Sequence, residues 1–293
     1  MHVLPIPGHL SIERRPVSPA HVTARVAVRA ITLDFGNTLV LVDRTGLRDV
    51  VGETASGLVR RGIVEDDDAF APIWAEERDR QFREEVPQYR ETDINQRAVR
   101  VLARLRGMDP PSADTRWDDT TASALVAPDE VAAVVDLYSA AFVGRMAPVV
   151  DATATLERLA GRGFTLAILS NWPLAVTIDR FAQAQGWLPY LQAIVVSQRV
   201  GLIKPHPAIF RAAEDALGVT GAAILHVGDD WAADVIGASR AGWRTAYLRD
   251  RQLDTPLPTS ERGTPGADEA PVVADLEIDE LSELDALVGL AGT

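Results

Sequence analysis

The apolar run "AITL" ends on a single acid, Asp34, and the chain then turns through Phe35, Gly36, Asn37 and Thr38. Polar residues follow apolar runs or interrupt loops in three other places: Ser170 and Asn171 in "AILSNW", Lys204 in "GLIKPHPAIF", and Asp229, Asp230 and Asp234 in "HVGDDWAADVIG". Brought together, they would supply a carboxylate nucleophile, hydroxyl and amide donors, one cation, and acids suited to a hard metal ion. A carboxylate such as Asp34 can attack phosphorus to form an acyl phosphate that water later hydrolyses, dividing one difficult displacement into two. Mg2+ takes oxygen ligands from one or two carboxylates plus water and substrate, which Asp34 and Asp229 could provide. Ser170 and Lys204 have the chemistry to hold the transferring oxygens where charge develops.

These residues can act jointly only if a fold gathers them. The apolar runs at 28–35, 164–170, 191–197, 222–229 and 244–249 predict strands, and their near-continuous apolar character fits strands covered on both faces. Helical patterns alternate with them from about 149 to 250, including "PLAVTIDRFAQAQG", "PHPAIFRAAEDALG" and "AADVIGASRAG". That alternation predicts an α/β fold with a Rossmann-like parallel sheet, whose ligands bind at the carboxyl ends of the strands. Residues 45–144 carry helical patterns and no convincing strand, so an α-helical cap is expected after the first strand. The expected organisation is a flexible leader at 1–28, a core at 29–44 and 145–250, the cap at 45–144, a mobile loop at 251–270, and a last strand and helix at 271–293.

Composition narrows the function. A net charge of −13 over 293 residues disfavours a broad nucleic-acid surface, which needs clustered Lys and Arg. No stretch has the roughly 18–20 uninterrupted apolar residues of a membrane helix, and the N-terminal residues lack the pattern of a signal peptide. A soluble, cytoplasmic protein with no membrane partner is expected, while oligomeric state is left open. The chain has no cysteine, hence no thiolate nucleophile or metal ligand.

The segments "LDFGNT", "AILSNW", "GLIKPHPAIF" and "HVGDDWAADVIGASRAGW", taken in order, resemble the motifs of the haloacid dehalogenase superfamily with an inserted helical cap of the C1 type. The resemblance covers about residues 29–250. It implies Asp34 as nucleophile and magnesium ligand, the Gly36 carbonyl and Asp229 as further ligands, and Asp234 as an acid orienting the lysine or metal waters. It also implies phosphate contacts from Thr38, Ser170, Asn171 and Lys204, with Phe35 and Gly36 beside the substrate. The family usually has a second Asp where this chain has Gly36, and glycine cannot transfer a proton. The implied activity is Mg2+-dependent hydrolysis of a small phosphorylated metabolite. A ligand-binding fold with weakened catalysis and a carbon–halogen hydrolase are the alternatives, although the retained "GDD" ranks phosphate chemistry above the latter.

Several residues also have plainer readings. Asp230 can be a metal ligand or a helix N-cap. Trp172 can line the substrate entrance or pack between domains. His206 is expected to shape the loop beside Lys204, and His226 to be a hydrogen-bonded core residue. "RWDDTT" at 116–121 reads as a solvated turn or helix start. No Walker-type glycine loop and no Gly-x-Ser-x-Gly elbow is present.

Overall fold

The computed structural model describes residues 25–113, 115–251, 254, 255, 257 and 272–292. In chain order the elements are β1 (Val26–Val28), β2 (Ala30–Leu33), α1 (Arg44–Arg60), α2 (Phe70–Glu84), α3 (Ile94–Leu105), α4 (Thr120–Leu125), α5 (Pro128–Arg145) and α6 (Ala152–Gly161). They continue with β3 (Thr165–Ser170), α7 (Ala175–Ala184), β4 (Leu191–Val196), α8 (Ser197–Val200), α9 (Pro207–Leu217), β5 (Ile224–Gly228), a π-helical turn (Trp231–Ile236) and α10 (Gly237–Arg240). The chain closes with β6 (Arg244–Leu248), β7 (Leu276–Ile278), α11 (Leu284–Leu287) and β8 (Val288–Leu290).

Six strands form one parallel sheet in the order β4-β3-β2-β5-β6-β7. Every residue of β2 and β5 is buried, as expected for central strands covered on both faces. From β2 the chain builds outward to β3 and β4, then crosses back to place β5 on the other side of β2. The crevice between the ends of β2 and β5 is therefore the switch point at which open α/β sheets bind ligands. Asp34 follows the first of these strands and Asp229 the second.

Between β2 and α6 the described chain is almost wholly helical, and α1 to α5 pack mainly on one another, α1 against α5 and α2 against α3. Asp43, Asp93 and Asp119 cap α1, α3 and α4 by accepting backbone N–H groups. The carboxylate of Glu77 on α2 is buried and receives Arg80, Arg100 and Arg104, locking α3 onto α2. Aromatic packing of Phe35, Phe142, Trp172 and Phe181 joins α5 to the sheet.

Four local expectations change. Residues 26–28, placed in the leader by sequence, form β1 and pair with β8 in a separate parallel ribbon. The closing segment does not end on a helix: α11 is a single turn, and β8 follows it, pairing its backbone with β1 and burying Val288. The helix expected at 232–242 begins as a π-helical turn. Of the loop expected at 251–270, Thr255 is buried, the exposed Asp254 accepts from the backbone N–H of Arg44 through its carbonyl, and Leu257 reaches Gly36. Residues 1–24 of the leader and 258–270 of the loop lie outside the described residues.

Candidate active site

Parallel register explains how the site is assembled. Thr32 of β2 lies opposite His226 of β5, and their side chains meet through Oγ1 and Nδ1 at 2.8 Å. His226 Nε2 lies 3.0 Å from Asp234 Oδ1. Because the carboxylate can only accept, this network assigns the ring proton to Nε2 and makes Nδ1 the acceptor of the Thr32 hydroxyl. Burial and the nearby Lys204 charge hold the pKa of His226 down, consistent with a neutral ring. The core reading of His226 and its place behind the site are thus one arrangement.

Lys204 is the hub. Its Nζ donates to Asp234 Oδ1 at 2.7 Å, to Asp34 Oδ1 at 2.8 Å and to the carbonyl of Leu169 at 2.9 Å. Burial opposes the lysine's charge, but Asp234 and Asp34 outweigh it and raise the pKa. Burial likewise opposes ionisation of Asp234, yet Lys204 and His226 hold its carboxyl well below the usual range. Asp34 differs: burial pushes its carboxyl up against the pull of Lys204.

Asp234 also accepts from the backbone N–H of Asp230 at 2.9 Å through Oδ2. Its return across the end of β5 depends on Gly228, where a Cβ would lie 2.1 Å from Asp234 Oδ2. Carboxylate oxygens of Asp34, Asp229 and Asp234 all lie within 4.8 Å of one another. With both Asp234 oxygens engaged by protein donors, Asp34 and Asp229 are the pair suited to a hard cation, and their oxygen chemistry fits Mg2+. Thr38 donates to Asp229 Oδ1 at 3.3 Å.

Other expected residues occupy varied places. Ser170 is buried, and its Oγ has no protein partner among the described residues, an orphaned hydroxyl that a phosphate oxygen would satisfy. The Asn171 amide is engaged by the backbone of Lys204, accepting from its N–H at 2.7 Å and donating to its carbonyl at 3.0 Å. It therefore positions the lysine loop. Phe35 alternates away from Asp34, and its ring packs into the aromatic core rather than beside a substrate. The Asp230 carboxylate caps the π-helical turn by accepting from Ala233 N–H at 2.8 Å. Trp172 both lines the cavity and packs in the aromatic cluster. His206 caps α9.

A cavity of about 560 Å³ opens over this site between the strand ends and the helical region, within the range of small-molecule pockets. Asp34, Gly36, Lys204 and Asp229 line one side, while Trp74, Arg97 and Tyr138 line the other. Glu91 lines it too. Its carboxylate accepts from Ser197 Oγ and from Thr92 N–H at 2.7 Å, and burial pushes its pKa up to about 7. Above Gly36 the space is apolar: a Cβ there would meet Leu257 Cδ1 at 2.8 Å and Trp172 Cζ3 at 3.4 Å.

Thr32, His226, Glu91 and Arg97 were not sequence candidates for the site. Thr32 gave one available signal, a hydroxyl in a buried strand two residues before Asp34.

Residues 28–242 match the model of a family described as haloacid dehalogenase-like hydrolase. The chain is 31% identical over 161 residues to a ribulose-1,5-bisphosphate 5-phosphatase of Halopiger xanaduensis, covering 55% of this chain and 65% of that protein. It is 31% identical over 157 residues to a glyceraldehyde 3-phosphate phosphatase of Methanopyrus kandleri, covering 54% and 63%. The chain thus spans less than two thirds of the length of either relative. A 2-haloacid dehalogenase from Pseudomonas syringae superposes with a TM-score of 0.58 at 23% identity, covering 89% of this chain and 97% of that one, a likeness of fold. Among the described residues, no helix is long and apolar enough to cross a membrane.

Proposed function

This chain belongs to the haloacid dehalogenase-like hydrolase family, and from that premise we propose that it is a Mg2+-dependent phosphatase of small phosphorylated metabolites. Asp34 is the nucleophile. The observation that carries this reading is the position of Asp34 at the switch point, joined to Lys204 at 2.8 Å and close to Asp229. The phosphatases among the curated relatives support the same chemistry.

Asp34 Oδ attacks phosphorus, the bond to the leaving oxygen breaks, and water then attacks phosphorus to release phosphate and regenerate the carboxylate. Lys204 and Ser170 hold the non-bridging oxygens. Asp34, Asp229 and the Gly36 carbonyl would hold Mg2+, which supplies positive charge beside the reacting group when bound. Asp234 and Asn171 keep Lys204 in place through the contacts described above. Gly36 offers no proton to the leaving group, which favours substrates with good leaving groups such as acyl phosphates.

The test is phosphate release from monoesters and acyl phosphates with and without Mg2+. Metal-dependent release that is lost in Asp34→Asn is expected; equal turnover by that variant overturns attack by Asp34.

The apolar filling above Gly36 favours a second reading, a binding protein of the same fold. Gly36→Asp separates the two, since the tip of Leu257 can rotate away. A wild type that is already active removes the binding reading, whereas a silent wild type awakened by the substitution supports it.

A further inference from the structure

Arg97 lies on the helical side of the cavity and is only 3% exposed. Its Nε donates to Gln81 Oε1 at 2.8 Å, and Gln81 is fixed in turn by its donation to the Asp93 carbonyl at 2.9 Å. The guanidinium sits 5.1 Å above the centre of the Trp74 ring. Among the described residues Arg97 makes no ion pair, and its two terminal nitrogens have no hydrogen-bond partner. Arg100 and Arg104, farther along α3, instead bind Glu77. Glu91 is the nearby acid of the cavity wall, but Ser197 and Thr92 occupy its oxygens.

Burial outweighs Glu91 and Asp93, which favour the Arg97 charge without forming an ion pair with it. A guanidinium this buried and bonded to no carboxylate is costly, and a ligand anion in the cavity would offset that cost. Burial lowers its pKa to about 10, which leaves it charged at neutral pH. Gln81 and Trp74 orient the fork while leaving its outer edge for a ligand. Arg44, Arg48 and Arg78 also line the cavity, Arg44 paired with Asp254 and Arg78 with Asp79, and the Tyr138 side chain lines it as well.

We infer that this wall is a second anion site, in which Arg97 receives a carboxylate or phosphoryl group at the far end of a substrate whose reacting phosphate lies at Asp34. A planar guanidinium matches either anion with two parallel hydrogen bonds. A substrate with an apolar tail would enter the cavity and leave the charge unpaired. The near end of this site rests on the phosphatase reading; its far end rests on Arg97.

Non-hydrolysable ligands separate the two. Calorimetric titration of the full chain with Mg2+ would compare propylphosphonate, 3-phosphonopropionate and propane-1,3-bisphosphonate. At least one two-ended ligand is expected to bind more than about 30-fold tighter than propylphosphonate, in keeping with the worth of a buried charge-assisted contact. The preferred end group distinguishes carboxylate from phosphoryl. Arg97→Gln should collapse the preference, and Arg97→Lys should restore part of it. Equal affinity for all three ligands in the wild type, or a preference that survives in Arg97→Gln, overturns the second site. Failure of all three to bind overturns the phosphate reading at Asp34 and the two-ended site with it. If Arg97→Gln does not fold, equal affinities in the wild type still overturn the second site, and the Arg97→Lys variant carries the assignment, a full wild-type preference there overturning the role of the Arg97 fork.

Discussion

Lys204 stands between two buried carboxylates, with Asp34 at 2.8 Å and Asp234 at 2.7 Å. Removing its charge would leave both acids facing each other without a counter-ion. Lys204→Met should therefore lose about 3–5 kcal/mol of stability, measured by denaturant unfolding, and lower kcat by about 10²–10³-fold. An unchanged unfolding midpoint would contradict the role of Lys204 as charge hub. Glu91 gives a pH-dependent prediction. Its carboxyl rises from the usual 4.5 to about 7 in the fold, so between these values the native state holds the proton more often than the unfolded chain. The contribution to stability is complete below the lower value and is lost as pH rises through the upper one. Glu91→Gln should thus be less stable relative to wild type at pH 5 than at pH 8, by a difference on the order of 2 kcal/mol. Parallel melting profiles would contradict it. Asp34, Ser170 and Asp229 were legible in sequence because they stand at the ends of apolar runs, and Lys204 and Asp234 through the loop and turn motifs that contain them. Arg97 was not, since its place among the arginines of α3 is decided by which partner Glu77 accepts.

At the scale of elements, the ends of β2 and β5 are the frame, and register does what spacing alone cannot reveal. Thr32 faces His226 only because these strands are adjacent and aligned. The strands were readable from hydrophobic runs, whereas their neighbours depend on the crossover that returns β5 to β2. The π-helical turn after β5 was also hidden, because its departure from an α-helix serves a tertiary contact: Asp234 folds back to Lys204 over a residue without a side chain. Gly228→Ala tests that contact. The new methyl would occupy the space of the Asp234 carboxylate, so turnover should fall at least about 10²-fold, the scale of a displaced positioning group. Thermal melting would show a loss of about 1–3 kcal/mol from overpacking. Wild-type activity in this variant would show that Asp234 does not need its observed position.

Across the whole molecule, residues of the sheet and of the helical insertion face one cavity. The sheet brings Asp34, Lys204 and Asp229 together, and the helices between β2 and α6 add Trp74, Arg97 and Tyr138, with Glu91 from the loop before α3. The division into core and helical insertion was legible from the change in periodicity near residue 45. Closure of the chain was not: β1 joins β8 across nearly the full sequence, and Leu257 returns to cover Gly36. Such contacts arise from long-range packing that has no local pattern. All of these parts serve the claim that Asp34 becomes phosphorylated during turnover, and acid-quenched mass spectrometry of the full chain with Mg2+ and a turned-over acyl phosphate tests it most directly. A phosphoryl adduct on the peptide containing Asp34, absent from Asp34→Asn, is the expected result. Rapid phosphate release with no adduct at any quench time, together with undiminished release by Asp34→Asn, would contradict it.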